Sequence, residues 1–491
     1  MKPDVKSGIR SGNQSGATKQ PTGDTAAALR KTAAEMETLA HEILEHGIKK
    51  GADRIKVGTS GSITRRLVVE NKEVSLANSL EDQKFSLLVH KDQKKGSATT
   101  NIVRPESIRK GVEDALALAS FSVADPALNM PDVAAAPKAK PLDFMFDERT
   151  ADTTLAEIQE LMGQALARAT QDKRVAIDKF EMSVSTSFHA IYNSLGVAQS
   201  ELQTMIGWSF FGMGVDGDAV SGFDYDSGFA WKTGDTAERL MATAESFAAK
   251  VTGNLHPRKA NSYKGLVVFS PRAVEELLTG FMLYHASGSA VMDGKSRWHE
   301  EVGNRVVSPV ITLRDQPHNP AFAGVTTFDG DGMPTRDHVI FDSGKLCMHL
   351  HDCYSAKRCH TTSNHMSGGP FGMSLAPGGS LLADLLRSRR EILLVDRFSG
   401  NTDAIKGDFS GVAKSSRLYV DGKDSGAVTE TMIAGNFFEF AKKIEAASLE
   451  TEAVGGSFTS PWLLVDGISV TGGLVKNTTE KNQRNQKRTH R

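Results

Sequence analysis

Residues Ala404–Asn436 read AIKGDFSGVAKSSRLYVDGKDSGAVTETMIAGN. Arg417, Leu418, Tyr419 and Val420 run into Asp421-Gly422, a dipeptide that supplies the positive φ angles of a tight turn, and Val428 to Ile433 are expected to return as the second strand of a β-hairpin. Asn436 then precedes FFEFAKKIEAAS, with Glu439 three residues on. The Asn436 side chain can accept from the first free helical amides while the glutamate reaches back, so a helix is expected to start there.

The chain has 491 residues, too many for one core at about 100 to 200 residues per domain, so two to four domains are expected. Its 58 Lys and Arg against 59 Asp and Glu leave a formal charge of -1, which provides no global field to draw it to nucleic acid or an anionic membrane. The longest apolar stretches, such as LLTGFMLY at Leu277–Tyr284, fall well short of the ~18 to 20 residues of a spanning helix. The opening MKPDVKSGIRSGNQSGATKQPTGD lacks the apolar core of a secretory signal. Three cysteines argue against a disulfide framework and fit a reducing compartment, so a soluble cytoplasmic chain is expected.

Composition divides the chain. Residues 1–23 are rich in Gly, Ser, Lys and Gln and are expected to form a disordered arm. In 24–125, Leu29, Met36, Leu39, Ile43 and Leu44 recur at helical spacing, short alternating runs follow, and a second helix is expected near Ile108–Leu118. The proline-rich PDVAAAPKAKP marks 126–145 as a linker. A central unit, 146–258, opens with a helical pattern at Leu155–Ala169, continues through strand-like runs around Phe180–Gln203 and closes with a helix at Thr236–Val251. A C-terminal unit spans 262–474, and the tail, 475–491, carries six Lys and Arg against one acidic residue and is expected to stay solvated. The fold class is therefore α+β, with N-terminal and central α+β units followed by a β-rich C-terminal domain.

Together with GDFS at Gly407–Ser410 and MIAGN at Met432–Asn436, further phrases occur in a fixed order: Tyr354-Ser355-Ala356-Lys357-Arg358, His365 followed by Gly368-Gly369, and Pro461-Trp462-Leu463-Leu464. In this set the chain resembles the TldD/PmbA family of paired metallopeptidase-type proteins. The resemblance implies that a helix after the first strand of the C-terminal domain carries, in the catalytic branch, His-Glu-x-x-x-His for zinc and a water-activating base, with a late cysteine as third ligand. Aligning Leu277-Leu278 with the two leucines before that motif places Thr279, Gly280 and Tyr284 at the first histidine, the glutamate and the second histidine, and Gly455 or Gly456 at the cysteine. The resemblance thus implies the TldE (PmbA) branch, a subunit with no catalytic residue, metal ligand or cofactor of its own. Its partner would be a TldD-like catalytic subunit that carries zinc, acting on unfolded or modified peptides. His365, Asp408 and Asn436 match motifs around the family's internal cavity and are the expected substrate-binding residues. Two alternatives remain open: a self-sufficient metallohydrolase with a relocated metal site, and a homo-oligomeric peptide-binding scaffold.

Local patterns bear on those alternatives. In WHEEVGNRV, Trp298–Val306, His299-Glu300 imitates the start of the metal motif, but Asn304 stands where the second histidine would be, and an exposed polar turn is the simpler reading. In CMHLHDC, period-two alternation would set Cys347, His349, His351 and Cys353 on one face of a strand. The two cysteines would then be about 20 Å apart, so four ligands cannot share one ion; a pair such as His349 and His351 could, with His360 or His365. Ser410 beside Asp408 has no histidine assignable to it, and the Gly-rich pieces FFGMGVDGD and SGGPFGMSLAPGG lack the lysine of a phosphate cradle.

Overall fold

The computed structural model describes residues 24–472, so the expected arm and basic tail lie outside the described residues. The fold is α+β with a β-rich C-terminal domain. Seven strands and five helices build its first half: α1 (Thr25–Lys49), β1 (Arg54–Glu70), β2 (Glu73–Lys91), β3 (Lys94–Thr100) and α2 (Pro105–Phe121), then α3 (Glu148–Ala151), α4 (Leu155–Ala169), β4 (Val175–Asn193), β5 (Ala198–Asp216), the short β6 (Ala219–Val220) and β7 (Asp224–Ala230), and α5 (Thr236–Gly253). The helices start where their caps dictate. Asp24 accepts from the Ala27 amide, α2 opens on Pro105, and Thr154 and Glu157 close a reciprocal capping box on α4.

These strands form one antiparallel sheet in the order β3-β2-β1-β4-β5, with β6 and β7 both on β5. β1 pairs with β4 without a break from Lys56↔Asn193 to Glu70↔Lys179, so the N-terminal and central units share a sheet. Segment 126–145, expected as a linker, runs along that sheet without helix or strand. Asn193 Nδ2 donates to Pro131 O and Gln199 Nε2 to Pro137 O, both at 2.8 Å, and Ala136 and Met145 are buried. One face of the sheet is covered by helices in two cores. Leu29, Met36 and Ile43 of α1 pack with Ile108 and Val112 of α2 on Ile55, Val57 and Phe85. Ile158 and Met162 of α4 pack with Leu240 and Phe247 of α5 around the stacked rings of Phe180 and Phe210.

β3 reaches only Phe85–Lys91 of β2. The preceding residues of β2, from Glu73 to Asp82, are exposed on both faces, Val74, Leu76 and Leu80 among them. Among the described residues no helix is long and apolar enough to cross a membrane.

The C-terminal half is a mixed fourteen-stranded sheet organised on the strand Phe458–Thr471. Tyr263–Phe269, Met432–Asn436 and Ile444–Val454 pair with it antiparallel, and Met373–Leu375 pairs parallel. Its core gathers Phe269, Phe281, Phe341, Phe437, Phe440 and Phe458. Asp421 (φ +50°) and Gly422 (φ +74°) make the expected tight turn. The return strand, however, is Lys423–Thr429; Glu430, at φ +50°, breaks it, and Met432–Asn436 instead pairs with Asp408–Lys414. The helix expected from Asn436 is also shorter than read. Asn436 Oδ1 does accept from the Phe438 amide (3.0 Å), but only Phe437–Phe440 is helical, and Glu439 makes no reciprocal bond among the described residues. Ile444–Val454 is a strand because pairing with Phe458–Thr471 outweighs the helical propensity of its Glu and Ala residues.

Buried charges fasten the halves together. Asp224 on β7 is fully buried and accepts from Arg272 Nη2 (2.9 Å), Arg397 Nη1 (3.2 Å) and Ser415 Oγ (2.6 Å), while Arg272 also reaches Asp396 (3.0 Å). Burial alone would raise the Asp224 carboxyl; the Arg272 guanidinium and the Ser415 hydroxyl outweigh it and hold the group below the ordinary value. Asp224→Ala would leave buried Arg272 with Asp396 alone and part-buried Arg397 without its counter-charge, and the expected loss is on the order of 3 kcal/mol. A drop of several degrees in the thermal midpoint followed by circular dichroism, with Asp224→Ala and Arg272→Ala less than additive, checks this.

A second buried carboxylate gives a pH dependence. Asp315, ending the strand Leu313–Asp315, is fully buried and its Oδ1 accepts from the amides of Phe371 (2.9 Å) and Gly372 (2.8 Å). Burial pushes its carboxyl up from 3.8 to about 6. Between those values the folded chain keeps a proton that the unfolded chain has released, so this group's contribution to stability falls as pH rises through the window, by roughly 3 kcal/mol, and is level above it. Asp315→Asn removes the titration and keeps an acceptor for both amides. Relative to the variant, the unaltered chain should lose urea resistance between about pH 4 and about pH 6.5; parallel curves for both would contradict the assignment.

Candidate functional site

The helix that follows the strand Tyr263–Phe269 starts at Ser270, whose side chain accepts from the Ala273 amide. It runs through Pro271–Val274 as α-helix, Glu275–Thr279 as a π-turn and Gly280–Ala286 as α-helix. Thr279 is buried and its Oγ1 donates five residues back, to Val274 O at 3.2 Å. Gly280 is exposed, and a Cβ there would meet nothing within 4 Å. Tyr284 is half-buried with its ring edge-on to His285. None of the three supplies an imidazole, thiolate or carboxylate. His285, next in line, has both nitrogens occupied: Nε2 donates to Ala404 O (2.9 Å) and Nδ1 accepts from the Arg297 amide (3.2 Å). Burial lowers its pKa and keeps it neutral.

The late loop lies beside this helix. Gly455 (φ +57°) and Gly456 (φ +73°) are both left-handed, and a Cβ on Gly456 would come within 2.9 Å of the Phe229 ring. Gly455 has more room, its nearest neighbour being Ser457 Oγ at 4.0 Å. Ser457 Oγ donates to Glu275 Oε1 (3.3 Å), tying loop to π-turn, and burial raises the Glu275 carboxyl. Where the resemblance expects zinc ligands, the residues present do not fit a metal. Among the described residues no three His, Cys, Asp or Glu side chains gather where they could hold one.

A cavity of ≈ 280 Å³ opens between Gly455 and the face of the first sheet opposite its helices, floored by Glu181, Ser183, Met205, Gly207 and Ser209. That face is built from small hydroxyls two residues apart: Ser60, Ser62 and Thr64 on β1, and Ser183, Ser185 and Ser187 on β4. They sit side by side because Ser62 pairs with Ser187, Thr64 with Ser185, and Ser183 with Gly207. Glu181 is held by Arg66 (2.7 Å) and Lys179 (3.3 Å). Such a floor keeps side chains short, so an extended chain could approach it closely without a demand on sequence. The SVSTS alternation at Ser183–Ser187 is the signal that sequence reading passed over.

Of the three expected substrate-binding residues, two are together. Asp408 and Asn436 are cross-strand partners, and Asn436 Nδ2 donates to Asp408 Oδ1 (2.7 Å) and to Lys406 O (3.0 Å). His365, half-buried at φ +64°, donates from Nδ1 to Pro334 O (2.6 Å) and shares no hydrogen-bond partner with that pair. Burial lowers its pKa. CMHLHDC is not the expected strand: only Lys345–Leu346 is extended, and Cys353 opens the helix Cys353–Arg358 capped by Asp352. His349 Nε2 donates to Trp298 O (2.8 Å) and His351 Nδ1 lies 3.2 Å from Ser355 Oγ, so these imidazoles serve loop packing. In WHEEVGNRV, Asn304 Nδ2 donates to Glu301 Oε2 (3.0 Å) in a turn, and Trp298 is buried against Phe341 and Phe437.

Two family models match, described as PmbA/TldA metallopeptidase domain 1 over residues 60–119 and PmbA/TldA metallopeptidase C-terminal domain over 262–472, together more than half of the chain. Among relatives, the Metalloprotease PmbA homolog of Haemophilus influenzae is 26% identical over 92% of this chain and 100% of that protein, and Metalloprotease PmbA of Escherichia coli O157:H7 is 26% identical over 87% and 93%. The crystal structure of TldE from Thermococcus kodakarensis superposes with a TM-score of 0.78 over 88% of this chain and 100% of that one, at 21% identity. With a fold, a motif order and two matched domains in agreement, the chain belongs to the TldD/PmbA metallopeptidase family and is TldE/PmbA-like.

Proposed function

We propose that this chain is the non-catalytic subunit of a zinc metallopeptidase, enclosing and orienting peptide for a TldD-like partner that supplies metal, water and base. The observation that carries the reading is a scaffold kept intact around vacated chemistry: π-turn, glycine loop and cavity lie together, while Thr279, Gly280, Tyr284 and Gly455 provide no ligand or base. Pairing is supported by the exposed stretch of β2, Glu73–Asp82, which lies beyond the reach of β3. Strand edges of this kind take up a second chain through main-chain hydrogen bonds.

Alone, the chain is expected to bind no stoichiometric zinc and to cleave no peptide in a chelator-sensitive way. Restoring a site should require Thr279→His, Gly280→Glu, Tyr284→His and Gly455→Cys together, because any single change leaves the metal short of ligands or the water short of a base. Zinc analysis and peptide cleavage by the four single variants and the quadruple variant test this; activity from Thr279→His alone would defeat it.

Co-expressed with a metal-bearing homologue, the chain should form a heterodimer that buries more than about 2,000 Å² in total. Leu76→Asp with Leu80→Asp, both at exposed positions, should weaken the complex by about tenfold or more without altering the melting of the single chain. Asp408→Ala or His365→Ala should slow peptide turnover by the pair and leave the partner's zinc in place. Mass measurement and turnover assays read both effects, and a chain that stays monomeric beside every such homologue would refute the pairing.

A further inference from the structure

On the other side of the first sheet, away from the hydroxyl-lined floor, α1 does not seal the surface completely. A cavity of ≈ 580 Å³ lies between α1, segment 138–146 and the helix-covered face of β4 and β5, walled by Ala34, Leu142, Met145, Phe146, Phe188 and Leu202. This size is that of an ordinary small-molecule site. Tyr192 also lines it. The residue is only 2% exposed, its ring tilted at 59° to that of His41 with centroids 5.2 Å apart, and its hydroxyl has no hydrogen-bond partner among the described residues. A phenol hydroxyl on the wall of a cavity, without a partner in the protein, is open to pair with something that enters.

The charges at the rim decide what that is. Of the two cations, Arg30 is committed to Glu148 (2.8 Å) and to the face of Phe146, and Lys138 donates to Ala198 O (3.1 Å). Of the acids, Glu201 is satisfied by Thr326, Thr327 and Gln203. Glu37 and Asp143 line the same cavity and make no hydrogen bond or ion pair among the described residues. With Arg30 neutralised by Glu148, the single charge of Lys138 stands against Glu37, Asp143 and Glu201, so the rim is net negative at the edge of an apolar chamber that contains a free hydroxyl.

We propose that this cavity binds a small molecule with an aromatic or branched apolar body and a cationic amine head, the body among Leu142, Phe146 and Phe188 and the amine between Glu37, Asp143 and the Tyr192 hydroxyl. The site is separate from the peptide-facing side, so it stands whether or not the chain pairs with a metallopeptidase.

Calorimetric titration of the full chain with phenethylamine, phenethyl alcohol and hydrocinnamate tests the assignment, since the three share a body and differ in the head. The amine should saturate one site, with the alcohol about tenfold weaker or more and the acid not bound. Glu37→Gln with Asp143→Asn, at exposed positions, should weaken the amine about fivefold or more and leave the alcohol unchanged. Ala34→Phe should abolish binding of both by filling the chamber. Absence of saturable amine binding, equal binding of all three probes, or amine binding indifferent to the charge variants would overturn the proposal.

Discussion

The architecture of the first half rests on the pairing of β1 with β4. Fifteen consecutive residue pairs, from Lys56↔Asn193 to Glu70↔Lys179, join two stretches of chain that are more than a hundred residues apart. Because side chains alternate across a sheet, this register also sorts residues between its faces. Ile55, Val57, Phe180 and Val184 go to the helices, and Ser60, Ser62, Ser183 and Ser185 go to the other side. A slip of one residue would turn hydroxyls into both cores and apolar side chains into the cavity beside Gly455. The same pairing forces 126–145 to cross the sheet as a strap.

Directional bonds then set the C-terminal half over that sheet. Asp224 draws Arg272, Arg397 and Ser415 to the end of β7, while Glu201 on β5 accepts from the Thr327 amide and the hydroxyls of Thr326 and Thr327 at 2.7–2.8 Å. Apolar contact among Met145, Phe229, Trp231, Phe322 and Val325 supplies adhesion between these points, but adhesion alone would tolerate sliding. Hydrogen-bonded carboxylates do not, because moving buried Asp224 or half-buried Glu201 strands a charge or an amide.

What could be read from sequence was what is decided locally. Asp421-Gly422 specifies its turn by conformational freedom, Thr154 and Glu157 specify a helix start by mutual hydrogen bonding, and the apolar spacing of α1 and α5 specifies their buried stripes. The pairing of β1 with β4 was not legible, since nothing in either strand names its partner. Ile444–Ser448, within the stretch expected to continue the helix from Asn436, becomes strand only through Phe458–Thr471. CMHLHDC alternates like a strand, yet Asp352 caps a helix inside it. At the site, Asp408 and Asn436 are brought together by a strand pairing that no local signal named, and the separate position of His365 depends on a loop whose course none gives. The correspondence of Thr279, Gly280 and Tyr284 to the metal motif came from family resemblance, and the π-turn that ends at Thr279 had no signature in the residues.

That π-turn also divides the helix into two halves with different rotational phase. Removing one residue from Glu275–Thr279 would regularise the hydrogen-bond ladder and at once rotate everything after it by about 100°, carrying Phe281, Met282 and His285 out of the core in which they are buried. Exchanging a side chain at Gly280, by contrast, meets open space. A substitution at Gly280 is thus cheap, and a deletion in the turn before it is not. Over evolutionary time, the residue at such an open position can change while the frame around it stays locked by packing.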